Sequence, residues 1–77
     1  MIKNIKLNTI NAIKEFVNET AKCQFDVDII SGRYVIDAKS IMGVLSLDLD
    51  KPISLHIRCN DVDSEDYLKA ISNFIID

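Results

Sequence analysis

The sequence predicts an α+β fold: an open-faced sandwich in the order β-α-β-β-α-β-α, with helices on one face of an antiparallel sheet and solvent on the other. Three observations predict it. Ile53, Leu55, Ile57 and Cys59 alternate with Ser54, His56, Arg58 and Asn60, the period of two that suits a strand buried on one side. Ile10, Ile13, Phe16, Val17, Thr20 and Ala21 recur at helical spacing, with Lys14, Glu15, Asn18, Glu19 and Lys22 on the opposite face. Ser31-Gly32 separates two β-prone runs, a hairpin signal.

Taken in order, Ile5 and Leu7 alternate with Lys6 and Asn8 and give a first strand. Asn8, Thr9 and Asn11 are all good helix caps, and the first helix then runs to about Cys23. Phe25, Val27 and Ile29 alternate with Gln24, Asp26 and Asp28 in a second strand, and Tyr34-Val35-Ile36 is the third. Asp37-Ala38-Lys39-Ser40 leads into a short helix with Ser40 at its start. Val44 and Leu47 can face inward on a repeat of about 3.6 residues, which turns Ile41, Met42 and Leu45 toward another face. Gly43 weakens that helix by about 1 kcal/mol relative to alanine and fits a place where a neighbouring segment comes close. The strand at Ile53–Cys59 has the cleanest alternation and belongs in the middle of the sheet. Asp63 or Ser64 caps the last helix, Glu65 and Asp66 fill its first turn, and Tyr67, Leu68, Ile71, Phe74 and Ile75 form its apolar stripe.

The totals narrow the function. A chain of 77 residues implies one domain, residues 1–77, that buries only about 60% of its unfolded surface. The formal charge is -3 and the basic residues are scattered, which argues against a nucleic-acid surface. No apolar run approaches the ~18 residues of a membrane span, and Met1–Lys6 lacks the apolar centre of a signal peptide, so a cytoplasmic location is expected. Cys23 and Cys59 form no Cys-x-x-Cys and have no histidine cluster beside them. Two free thiols are the plain reading, a disulfide or metal site the alternative. The carboxylate pairs Asp48/Asp50 and Glu65/Asp66 fall in a turn and a helix start, which is solvated surface rather than acid–base machinery. No enzyme, cofactor or metal is expected.

The run Ala38-Lys39-Ser40-Ile41-Met42-Gly43-Val44-Leu45-Ser46-Leu47 resembles the regulatory-serine segment of HPr, the histidine-containing phosphocarrier protein of the sugar phosphotransferase system. The resemblance extends more weakly over nearly the whole chain. It implies a four-stranded antiparallel sheet with the two longer helices on one side, and it alone supplies a strand order. It also implies that Ser40 is phosphorylated by an HPr kinase and that Ile41, Met42 and Leu45 dock partner proteins. Those partners would be phosphotransferase-system proteins or a transcriptional regulator.

In that family one histidine at the start of the first helix, in a Gly-Leu-His-Ala-Arg-Pro-like motif, carries the phosphoryl group. Here the region reads Leu7-Asn8-Thr9-Ile10-Asn11-Ala12-Ile13-Lys14, preceded by a shorter loop. The histidine position falls on Asn11, the arginine on Ile13 and the proline on Lys14. An amide is not a nucleophile, so Asn11 reads as a cap or a solvated first-turn residue. The single histidine, His56, lies mid-strand and reads as surface. In lacking the motif histidine the chain is similar to Crh, the catabolite-repression member of the family.

The resemblance therefore implies an HPr-like regulatory and interaction module, with no phosphohistidine at the usual site and a phosphorylatable Ser40. Two alternatives stand beside it. One is a divergent phosphocarrier using another site; the other is an HPr-like binding domain outside the sugar phosphotransferase system. The sequence leaves the oligomeric state open.

Overall fold

A computed structural model describes residues 1–48, 50–59 and 61–76. Strand β1 (Ile2–Ile5) is followed by helix α1 (Ile10–Ala21), strand β2 (Val27–Ser31) and strand β3 (Tyr34–Asp37). Helix α2 (Ile41–Leu45), strand β4 (Ile53–Ile57), helix α3 (Asp61–Ala70) and a 3₁₀ turn (Ser72–Phe74) come next. The sheet order is β1-β4-β2-β3, and each neighbouring pair is antiparallel. The fold is the open-faced sandwich the sequence predicts, with β4 inside the sheet.

Side-chain alternation builds the core. Ile5 lies opposite Ile53, Leu55 opposite Ile29, and Ile57 opposite Val27, and all six are buried on one face. Against them pack Ile13, Phe16 and Val17 of α1, Tyr67 of α3, and Ile71 and Phe74 beyond it. The other face is more polar. There His56 stands between Ile2 and Asp28, and Ser54 between Asn4 and Ile30. Ser54 Oγ donates to Asn4 Oδ1 at 3.2 Å, and Arg58 Nε reaches Asp28 Oδ2 at 2.7 Å.

Of the three candidate caps for α1, Thr9 serves. Its backbone is extended and its Oγ1 accepts from Ala12 N at 3.0 Å. Ile10 and Ala21, both at helical spacing with the buried face, lie exposed at the two ends of α1. Thr20 is fully buried: its hydroxyl donates to the Phe16 carbonyl at 2.7 Å and lies 2.7 Å from the Tyr67 hydroxyl. Since the single Thr20 proton goes to Phe16, Tyr67 donates to Thr20. The β2–β3 hairpin turns at Gly32-Arg33, and Gly32 takes a φ of +60°, a conformation that favours glycine.

Several boundaries differ from expectation. β1 starts earlier and ends at Ile5, so Leu7, though buried, lies past it. Phe25 precedes β2 and stacks edge-to-face on Tyr67, with ring centroids 5.8 Å apart. Cys59 lies beyond the end of β4.

The expected cap at Asp63 or Ser64 is incorrect: α3 already includes Asp61, and Ser64 is a fully buried residue within it. Ser64 shares the inward spacing of Tyr67, Leu68 and Ile71, and its small side chain fits the stripe where a cap was expected. Glu65 and Asp66 consequently sit beyond the first turn, where Glu65 pairs with Lys69 at 3.5 Å. Phe74 and Ile75 do not continue that helix. The chain tightens into the 3₁₀ turn, and Ile75 bridges to Ile5. Lys6 N donates to Phe74 O, and Ile76 N to Asn4 O, both at 2.9 Å, so the C-terminal segment covers the outer edge of β1.

Candidate functional site

The serine helix is assembled by the turn that precedes it. The Asp37 carboxylate accepts from Lys39 N at 2.9 Å, and the Asp37 carbonyl accepts from Ser40 N at 3.0 Å. This Asx-type turn sets Ser40 in extended backbone, from which its Oγ accepts the Gly43 N–H at 3.3 Å. Ser40 is thus the cap of α2, as the sequence predicts, and it is exposed. At the other end Ser46 Oγ donates to the Gly43 carbonyl at 2.6 Å.

Two anchors hold the segment down. Ala38 and Val44 are fully buried, and Leu47 is half-buried. Lys39 Nζ donates to the Cys23 carbonyl at 2.9 Å, tying the segment to the end of α1. Sequence reasoning missed this tether. The Asx signal of Asp37 two residues before Lys39 was visible, but a lysine's target sixteen residues away was not.

Gly43 meets the close approach foreseen for it. A Cβ there would lie 2.6 Å from Ile36 Cγ2. That methyl sits on a β-branched carbon with little rotational freedom. Gly43→Ala is therefore expected to destabilise the protein by about 1–2 kcal/mol in spite of alanine's better helix propensity. Thermal unfolding of the variant checks this.

With Val44 turned inward, the remaining apolar side chains of α2 face water: Ile41 is 37% exposed, Met42 76% and Leu45 44%. These are the three residues the sequence separated from the buried face, and they lie on the helix that Ser40 caps. Asn11, by contrast, is exposed on the first turn of α1, one position after Ile10. His56 is not near it. Ile53, Leu55 and Ile57 point into the helix layer, so His56, alternating with them, is on the opposite face of the sheet. The structure does not bring together the N-terminus of α1 and an imidazole.

Cys23 and Cys59 are not joined in a disulfide, and both line one open cavity of about 680 Å³ with Phe25 and Tyr67. Burial pushes the Cys23 thiol above its ordinary range, with Lys39 opposing. Among the described residues no group of three or more His, Cys, Asp or Glu side chains is placed to hold a metal ion. Nor is any helix among them long and apolar enough to cross a membrane. Asp48 Oδ1 accepts from Asp50 N at 3.1 Å in an exposed turn.

The PTS-HPr family model, described as "PTS HPr component phosphorylation site", matches residues 7–77. The chain belongs to the HPr family. Solved HPr structures share its fold. One is HPr-C-His from Thermoanaerobacter tengcongensis, with a TM-score of 0.76 and 21% identity, over 95% of this chain and 88% of that one. The phosphocarrier protein HPr from Bacillus anthracis gives 0.72 and 22%, over 99% and 96%. Crh, the catabolite repression containing protein of Bacillus subtilis, gives 0.62 and 22%, over 96% and 88%. No relative among the curated proteins matches. At these identities the HPr structures establish the fold.

Proposed function

We propose that this HPr-family chain is a non-catalytic, single-domain regulatory module of the phosphoenolpyruvate-dependent sugar phosphotransferase system, working in the cytoplasm. In this reading Ser40 is a phosphorylation site, Ile41, Met42 and Leu45 dock partner proteins, and Asn11 occupies the place of the family's active histidine. The partners are an HPr kinase, proteins of the sugar phosphotransferase system or a transcriptional regulator.

One observation carries the reading: an exposed serine caps a helix that also carries three exposed apolar residues, Ile41, Met42 and Leu45, while its inward face is already satisfied by Val44. Surface apolar groups clustered in this way mark contact sites, and methionine adapts to more than one partner. A phosphate on Ser40 would bring about -1.5 to -2 charge to the edge of that patch and so exchange one set of partners for another. The missing carrier role is supported by chemistry. Asn11 offers no nucleophile, and the imidazole of His56 is on the far face of the sheet.

Two reactions test this, with the modified residue read by mass spectrometry. ATP with an HPr kinase is expected to label Ser40, and Ser40→Ala to abolish the label. Phosphoenolpyruvate with enzyme I is expected to leave the chain unlabelled. Label on His56 in the second reaction would instead make the chain a divergent phosphocarrier. No label in either would move it outside the sugar phosphotransferase system. Ser40→Ala is also expected to lower stability by about 1 kcal/mol through loss of the cap.

A further inference from the structure

We propose that the outer edge of β3 pairs with the same edge of a second copy of this chain, antiparallel and centred on Val35. The sheet ends in β1 and β3. The C-terminal segment closes the β1 edge through hydrogen bonds to Asn4 and Lys6. At the β3 edge, among the described residues, no backbone hydrogen bond reaches Val35 from outside the sheet.

The hairpin register fixes which groups point outward. In a hairpin with a two-residue loop the flanking residues, here Ser31 and Tyr34, form a hydrogen-bonded pair, and such pairs alternate along the ladder. Ile29 and Ile36 are then bonded, and Ile30 with Val35 is not. The bond from Ala38 N to Val27 O at 2.9 Å falls in the same phase. The N–H and C=O of Val35 therefore point away from β2. Its side chain is 64% exposed, and that of Tyr34 is 70% exposed.

Exposed edges are commonly blunted by lysine, proline or a bulge. The stretch Arg33–Asp37 contains no lysine or proline, and within it Tyr34–Asp37 runs against β2 without a bulge. Its charges are self-complementary instead. A two-fold axis at Val35 sets Val35 against Val35 of the second copy, and brings Arg33, in the turn that precedes the strand, beside Asp37 of the second copy on both sides. Tyr34 then faces Ile36 of the second copy. Asp37 uses one carboxylate oxygen on Lys39 N, which leaves the other for the guanidinium. Sliding one copy by two residues loses these pairs, and in one direction sets Arg33 opposite Lys39. The chemistry thus selects one register, and it joins the two four-stranded sheets into one.

Five residues on each side form an interface well under the ~1,200 Å² of stable complexes, so the dimer is weak and concentration-dependent. Sedimentation equilibrium of the intact chain, from micromolar to millimolar concentration, is expected to show a reversible monomer–dimer equilibrium weakened by added salt. Arg33→Asp opposes like charges at both ends and is expected to weaken association about tenfold or more. Val35→Pro removes an N–H that makes no bond within the sheet, so it should abolish the dimer while thermal unfolding of the monomer stays nearly unchanged. A chain that remains monomeric at millimolar concentration overturns the proposal. So does a dimer indifferent to both substitutions, which would place the contact elsewhere.

Discussion

Phe16→Ala is expected to lower the unfolding free energy by about 3–5 kcal/mol. Phe16 has no exposed surface, and its ring meets Phe74 edge-on at 6.3 Å between centroids. It projects from α1 into the layer between helices and sheet, so its removal leaves a cavity among the buried side chains of the core. A chain of 77 residues has about 4–12 kcal/mol of stability in all, and this one side chain is then a large share of it. Urea denaturation should show the midpoint falling steeply at nearly constant slope. Met42→Ala provides the contrast. With that side chain 76% exposed, the substitution should change stability by about 0.5 kcal/mol or less. Loss of partner binding in Met42→Ala can then be attributed to the surface of α2 and not to unfolding.

Thr20→Val is expected to cost about 1–3 kcal/mol, because it keeps the shape of the side chain but leaves the buried Tyr67 hydroxyl without its acceptor. Adding Tyr67→Phe removes the orphaned hydroxyl and should recover much of the loss. A double-mutant cycle by thermal or urea unfolding measures the coupling.

The same pair predicts an alkaline limit. Burial holds the Tyr67 phenol well above the ordinary tyrosine value of 10.0. The unfolded chain releases this proton near that pH while the folded chain keeps it. The stabilising contribution is complete below pH 10.0 and declines above it by about 1.4 kcal/mol per pH unit. Cys23 shifts in the same direction from an ordinary value of 9.0, so the decline begins slightly earlier in any variant that keeps this thiol. Unfolding free energies measured from pH 8 to 12 should fall less steeply in Tyr67→Phe than in the parent chain.

Local patterns carried most of the fold and part of the site. The alternation of Ile53–Ile57 was legible because a central strand with one buried face has a strict period of two. Ser40 was legible because a serine before an apolar helical run has one economical use, as a cap. The outward turn of Ile41, Met42 and Leu45 followed from Val44 taking the inward face. The start of α3 was misread because Ser64 suits two environments: it is polar enough to cap a helix and small enough to be buried within one. Phe74 and Ile75 kept helical spacing from Ile71, yet the bond available at the β1 edge drew them out of the helix. The Lys39 tether and the identity of β4's two neighbours, β1 and β2, are pairings between distant residues, which no local pattern encodes.

The strand order has a consequence for how the chain assembles. β1 is made first, but its sheet neighbour β4 begins at Ile53, and its outer edge waits for Phe74 to Ile76. Only the β2–β3 hairpin can close between adjacent segments. The first strand should therefore remain without its partners until nearly the whole chain is present. Folding is expected to be limited by a late search between its two ends, slower than for helical proteins of equal length.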